Sequence, residues 1–187
     1  MTNIIDISTY EPTSEDKIFI DNNIWMYLFF PYNSGNENSD LYGTFFGKLL
    51  KSKCRIYTSS IILSEFFNSY AKSHFVAKQS NEKSQKIPYD KRVYKNYKRD
   101  FRNTPEFIEI SKAIRNILFD EILSYSLKVD DMFSSINMNT ILSSDDCFDF
   151  NDKYIVALCE YHDFKILTND KDFLNFKTNV KIITKHI

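Results

Sequence analysis

Lys165-Ile166-Leu167-Thr168-Asn169-Asp170-Lys171-Asp172-Phe173 decides how this chain folds. Its apolar run is too short for a helix and ends in Thr-Asn-Asp, followed by two more polar residues and an aromatic. A buried parallel strand reads this way, delivering a carboxylate to its own C-terminal edge, where open α/β sheets bind ligands. If so, other strand ends and helix starts should bring acidic residues to the same edge.

Just upstream, Ser143 to Asp152 is an acidic approach to a helix whose apolar residues are Tyr154, Ile155, Ala157, Leu158 and Tyr161. Asp149 and Asp152, three apart, share a face and place negative charge at the positive helix end. His162-Asp163-Phe164 turns into the strand. Downstream, Asp172-Phe173-Leu174 predicts a short helix and Val180 to Thr184 a last strand. Near the start, Lys17 to Ile20 is a strand ending in Asp21-Asn22-Asn23 before the apolar run Ile24 to Phe30. Leu41, Phe45, Leu49 and Leu50 have helical spacing. Arg55 to Thr58 is another short strand, and Ser59 or Ser60 caps a helix with Ile61, Ile62, Phe66, Phe67 and Tyr70. Glu65 sits one turn after two isoleucines, where a carboxylate is costly unless it is paired or binds a metal. Each acid also has a plainer role: Asp21, Asp149 or Asp152 as a helix cap, Glu65 on a polar edge beside Asn68 and Ser69.

The 187 residues fit a single domain, and a hydrophobic fraction of 43% with 17 Phe and 12 Tyr fits a packed core. Three well-separated cysteines, Cys54, Cys147 and Cys159, form neither a disulfide framework nor a zinc motif. The three glycines fit no dinucleotide fingerprint, P-loop or nucleophile elbow. Residues 1–16 predict an irregular leader without the pattern of a signal peptide. The longest apolar run falls far short of a membrane span. The expectation is a reduced, cytoplasmic protein with no membrane partner.

Charge is uneven. Lys72 to Arg102 holds ten Lys or Arg against Glu82, Asp90 and Asp100, so it carries +7 within a chain of net charge −1. A helix from Lys91 would align Lys91, Lys95, Lys98 and Arg102 in one stripe, with Val93, Tyr97 and Phe101 in another. Basic residues interleaved with aromatics suit a phosphate backbone and unstacked bases; a solvated helical face is the alternative. Thr104-Pro105-Glu106 then starts a helix that carries apolar positions through Tyr125, and 129–142 has no clear pattern.

Asp21, Glu65, Asp152 and Asp170 thus occupy comparable places, and parallel βα units bring such places to one sheet edge. Crowded carboxylates repel unless a cation neutralises them. Oxygen ligands without His or Cys favour Mg²⁺ or Mn²⁺, and the matching chemistry is metal-assisted phosphodiester hydrolysis.

Four motifs carry a resemblance: Phe19-Ile20-Asp21-Asn22-Asn23-Ile24, Ser60-Ile61-Ile62-Leu63-Ser64-Glu65-Phe66, Asp149-Phe150-Asn151-Asp152-Lys153-Tyr154-Ile155-Val156-Ala157, and Ile166 to Phe173. In this order the chain resembles the PIN-domain nucleases, which include the VapC-like toxins of bacterial toxin–antitoxin pairs. The resemblance implies a three-layer α/β/α fold with a central parallel sheet, here with a basic helical insertion at about 72–104. It also implies one or two Mg²⁺ or Mn²⁺ ions and cleavage of RNA. Asp21, Glu65, Asp152 and Asp170 match the family's acidic quartet, Asn23 and Thr168 its supporting polar positions, and Asp172 an additional acid. Asp149 substitutes for or assists Asp152. A toxin role calls for an antitoxin protein, and a homodimer is a family-level expectation. Two other classes compete. One is an RNA- or protein-binding module without catalysis. The other is a phosphoacceptor or phosphatase domain, which Asp21-Asn22-Asn23 disfavours because the second Asp is missing.

Overall fold

Among the described residues six short strands run parallel in one sheet, and Asp21 and Asp170 stand in the loops at the C-terminal ends of two of them. A computed structural model describes residues 3–33, 35–143 and 148–187. Along the chain come β1 (Asn3–Asp6), β2 (Lys17–Ile20), α1 (Asn22–Phe29), α2 (Glu37–Ser52), β3 (Arg55–Thr58) and α3 (Ser60–Ser84). They are followed by α4 (Pro105–Asn116), α5 (Leu123–Tyr125), β4 (Leu127–Lys128), α6 (Met138–Ile141), α7 (Phe150–His162), β5 (Lys165–Leu167) and β6 (Lys181–Thr184). The sheet order is β1-β6-β5-β2-β3-β4.

The central strands are continuously apolar because both faces are covered. Ile18, Phe19 and Ile20 are successive residues that point to opposite faces, and all three are fully buried. Ile166, Leu167, Ile182 and Ile183 repeat this in β5 and β6. β2 pairs with β5 through Ile18–Lys165, Phe19–Ile166 and Ile20–Leu167. From β2 the chain passes to β3 on one side, whereas β5 leads to β6 on the other. The connections therefore diverge between β2 and β5, and such a switch point opens a crevice beyond the strand ends.

Two expectations need correction. The leader is not irregular throughout: Asn3–Asp6 pairs with Lys181–Thr184 as an edge strand. Its half-exposed residues and polar ends hide the pattern that marks a buried strand. The helix expected from Lys91 is also absent. α3 runs on to Ser84, and the chain then makes a 3₁₀ turn at Tyr89–Lys91, an extended piece, and a π turn at Tyr97–Phe101. Side chains take the backbone donors a helix would have used. The Glu82 carboxylate accepts from Val93 N and Tyr94 N at 2.8 and 3.2 Å, and Asn96 caps Arg99 N at 3.0 Å. Lys91, Lys95, Lys98 and Arg102 therefore do not form one helical stripe. The helix start at Thr104 is as expected, its hydroxyl accepting from Phe107 N at 3.1 Å, and the helical run reaches Tyr125 through a π turn at Ile117–Ile122.

Phe101 pins the basic segment to the domain. It is fully buried, with ring centroids of Phe75 and Phe107 both 5.6 Å away. Phe101→Ala is expected to cost about 3–5 kcal/mol, read as a lower urea midpoint; an unchanged midpoint would contradict this anchoring role.

Candidate metal centre

Asp21 follows β2 directly. Its N–H donates to Leu167 O at 3.0 Å, extending the β2–β5 ladder by one residue. Its carboxylate caps α1, with Oδ1 accepting from Asn22 N at 2.6 Å. Oδ2 accepts from Asn23 Nδ2 and from the Thr168 hydroxyl, each at 2.6 Å. The Thr168 oxygen in turn accepts from Asn23 Nδ2 and Asp170 N, each at 3.0 Å. One buried hydroxyl thus ties the end of β2 to the loop after β5. Asn23 Oδ1 closes the ring by accepting from Asn169 N at 3.1 Å.

Glu65 lies half-buried on α3, and its Oε1 accepts from Asn151 Nδ2 at 2.6 Å. That bond joins α3 to the first turn of α7. Asp152 stands in the same turn, while Asp149 is the exposed cap, accepting from Asn151 N at 2.8 Å. Asp170 accepts from Asp172 N at 2.9 Å, a local turn that folds Asp172 back toward it.

Oxygens of Asp152, Asp170 and Asp172 lie within 4.8 Å of one another. Opposite ligands of an octahedral ion with bonds of about 2.1 Å sit roughly 4.2 Å apart, so these oxygens need only a small adjustment to hold Mg²⁺ or Mn²⁺. Burial pushes Asp21 up to about 7, with repulsion from Glu65 and Asp170 adding to it and hydrogen bonds from Thr168 and Asn22 opposing it. Asp152 is also pushed up to about 7, first by burial and then by Asp21, Asp170, Asp149 and Glu65. Burial raises Glu65 as well, against the Asn151 bond, with Asp149 adding. Among the described residues no Lys or Arg pairs with any of these acids. Near Asp21, the Asn22 amide donates to Ser69 Oγ, one turn beyond Glu65, and its buried Oδ1 accepts no hydrogen bond from the described residues. Mutually repelling carboxylates beside an orphaned oxygen acceptor make a donor set suited to a hard divalent cation.

Repulsion couples Asp152 to Asp21, Glu65 and Asp170, and Asn23 and Thr168 are bonded to Asp21, but of the expected quartet the 4.8 Å oxygen cluster among the described residues holds Asp152 and Asp170 and not Asp21 or Glu65. Asp172, rather than Asp149, joins the tight oxygen cluster. Asp145 and Asp146, in the acidic approach to α7, lie outside the described residues. The sequence reading missed Asn22, Asn151 and Asn169. Asn151 had a signal, as an amide set between two acids at the start of an apolar helix. Lys95 Nζ donates to Asp90 O at 2.7 Å and Arg102 lies 5.9 Å from the Phe107 ring, with Lys91 and Lys98 exposed nearby. A cleft of about 490 Å³ opens at the other end of the strands, lined in part by Lys17 and Lys165. Those lysines are engaged with His162 O and with Asp16 and Tyr10, so it is no substitute for the acidic edge.

Thr168→Val keeps the shape but leaves Asp170 N without its acceptor and removes one of the three donors to the Asp21 carboxylate. The expected loss is about 1–3 kcal/mol, together with a further rise of the Asp21 pKa, followed by urea melts and carboxyl NMR titration. An unchanged midpoint and titration would contradict the bridging role.

The family model described as PIN domain matches residues 18–179. Among solved structures the chain is similar to VapBC2 from Rickettsia felis bound to a DNA fragment from their promoter, at 17% identity. The match covers 90% of this chain and 98% of that one, with a TM-score of 0.53. At this identity the likeness shows a shared fold. No curated protein matches the sequence.

Proposed function

The chain belongs to the PIN-domain family, and from that premise we propose that it is a metal-dependent endoribonuclease. Asp21, Glu65, Asp152 and Asp170 are its catalytic acids and hold Mg²⁺ or Mn²⁺, with Asp172 beside them. The observation that carries this reading is the cluster of Asp152, Asp170 and Asp172 oxygens beside Asp21, with no Lys or Arg paired to these acids among the described residues and with Asp21 and Asp152 pushed up to about 7. When bound, such an ion lowers the pKa of water and offsets charge on a phosphodiester. The chain's own part is positional. Thr168 and Asn23 fix the Asp21 carboxylate, Asn151 fixes Glu65, and the local turn of Asp170 holds Asp172 close. RNA is supported as the substrate by the basic, aromatic stretch that includes Lys91, Lys95, Lys98 and Arg102.

The biological setting proposed with this activity is a cytoplasmic toxin restrained by an antitoxin protein, acting as a homodimer. A fold shared with VapBC2 supports it, and co-purification with the product of an adjacent reading frame tests it. The activity itself is tested on labelled RNA with Mg²⁺, with Mn²⁺ and with EDTA. Cleavage is expected with either ion and none with EDTA. Undiminished cleavage in Asp21→Asn would overturn the mechanism.

A further inference from the structure

Tyr89 leaves 69% of its surface exposed although it is a large aromatic residue. Two cations stand over its ring, the Arg92 guanidinium carbon 5.9 Å and Lys95 Nζ 5.6 Å from the centroid, within cation–π range yet far enough out to leave most of the ring open. Both are held by neutral acceptors. Arg92 Nε donates to Ile87 O at 2.9 Å and Lys95 Nζ to Asp90 O at 2.7 Å. Carbonyl oxygens orient these groups without cancelling their charge. The nearby carboxylates are mostly engaged elsewhere, Asp100 with Arg99 and Glu82 with the N–H groups of Val93 and Tyr94, which leaves Asp90 against the surrounding cations. The turn carrying Tyr89 follows Pro88 and is closed by Lys91 N donating to Pro88 O at 3.0 Å, so the ring is presented on a defined backbone.

We propose that Tyr89, Arg92 and Lys95 form an exosite for unpaired RNA, in which a base stacks on Tyr89 and the flanking phosphates meet the two cations. An exposed aromatic among cations in excess of carboxylates is how single strands are held without sequence readout. The proposal rests on the RNA-cleaving reading of the acidic site and adds a length requirement to it. α3 carries Glu65 near one end and anchors this segment near the other. Phe75, against which the Tyr97–Phe101 turn packs, is ten residues beyond Glu65, and Glu82, which holds Val93 and Tyr94, is seventeen beyond. At 1.5 Å per residue these anchors lie about 15 and about 26 Å along the helix from Glu65. Lys98 and Arg102 flank the nearer anchor. A stacked strand advancing roughly 3.4 Å per phosphate needs about eight nucleotides to reach from the acids to Tyr89. Shorter RNA reaches the acids alone.

The test is steady-state cleavage with Mn²⁺ of unstructured RNAs of about 4 and about 16 nucleotides by the wild type, Tyr89→Ala and Tyr89→Phe. Tyr89→Ala is expected to raise KM for the longer RNA roughly 5- to 30-fold without changing its kcat or the kcat/KM of the shorter one. Tyr89→Phe restores the wild-type value because it keeps the ring. Wild-type kinetics in Tyr89→Ala on the longer RNA, or equal losses on both lengths, would overturn the exosite while leaving the nuclease reading intact. Should the wild type cleave neither RNA, the nuclease reading falls and fluorescence anisotropy with the longer RNA decides the exosite. Weaker binding by Tyr89→Ala but not Tyr89→Phe supports it, and equal binding overturns it.

Discussion

Asp170→Asn is expected to reduce metal-dependent RNA cleavage by on the order of 10²–10³-fold, the range seen when one preorganised electrostatic group is removed. The substitution keeps an oxygen to accept from Asp172 N, and the bond from Asp170 N to Thr168 is a backbone bond, so the loop geometry survives. What disappears is one ligand of the Asp152–Asp170–Asp172 cluster. Asp170 also repels Asp21 and Asp152. Removing it relieves that repulsion, so metal-free Asp170→Asn should melt at a higher temperature than the wild type at pH 8. Loss of activity together with a gain in stability separates a ligand role from misfolding, which would lower both. A functional site that costs stability is the expected trade-off.

The second large effect is a stability profile that metal inverts. Asp21 and Asp152 are pushed up to about 7 from the ordinary 3.8. Between about pH 4 and 7 the folded protein therefore binds more protons than the unfolded chain, and metal-free stability falls as pH rises through that window. For fully buried Asp21 the shift corresponds to about 4 kcal/mol; for Asp152, partly open to solvent, screening reduces it to about 1–2 kcal/mol. The metal-free Tm should thus drop by roughly 10 °C between pH 5 and pH 8. Millimolar Mn²⁺ should restore it at pH 8 and do little at pH 5, because protons and the cation compete for the same oxygens. Cleavage should rise over the same interval. A flat metal-free profile and a metal effect independent of pH would contradict the shared acidic centre.

The parts of the fold that could be read from sequence are those where burial is continuous. Lys17–Ile20 and Lys165–Leu167 carry apolar runs enclosed on both faces, and their polar ends announced the edge on which the acids gather. β1 and β4 escaped notice because edge strands are exposed: Leu127 is half-open and Lys128 exposed, so no periodicity marks them. Residues 85–103 misled for another reason. Helical spacing of Lys91, Lys95, Lys98 and Arg102 is real in the sequence, but Glu82 and Asn96 claim the backbone donors, and that competition depends on tertiary placement. At the site, the acids were visible as charges in apolar settings. The amides of Asn22 and Asn151 were not, because an asparagine at a helix start reads equally well as a cap, and Asn169 stands in the loop after β5, where an asparagine reads as ordinary turn chemistry. Placing Asp172 with Asp152 and Asp170 required the local turn of Asp170, which spacing alone does not reveal.

The most direct measurement is Mn²⁺ titration at pH 7.5, following loss of the aqueous Mn²⁺ EPR signal in the wild type and in Asp170→Asn. Saturable Mn²⁺ uptake by the wild type, lost or sharply weakened in Asp170→Asn, is the result expected of an acidic metal centre at the β2–β5 edge. Equal uptake by both proteins, or none by the wild type at millimolar Mn²⁺, would contradict it.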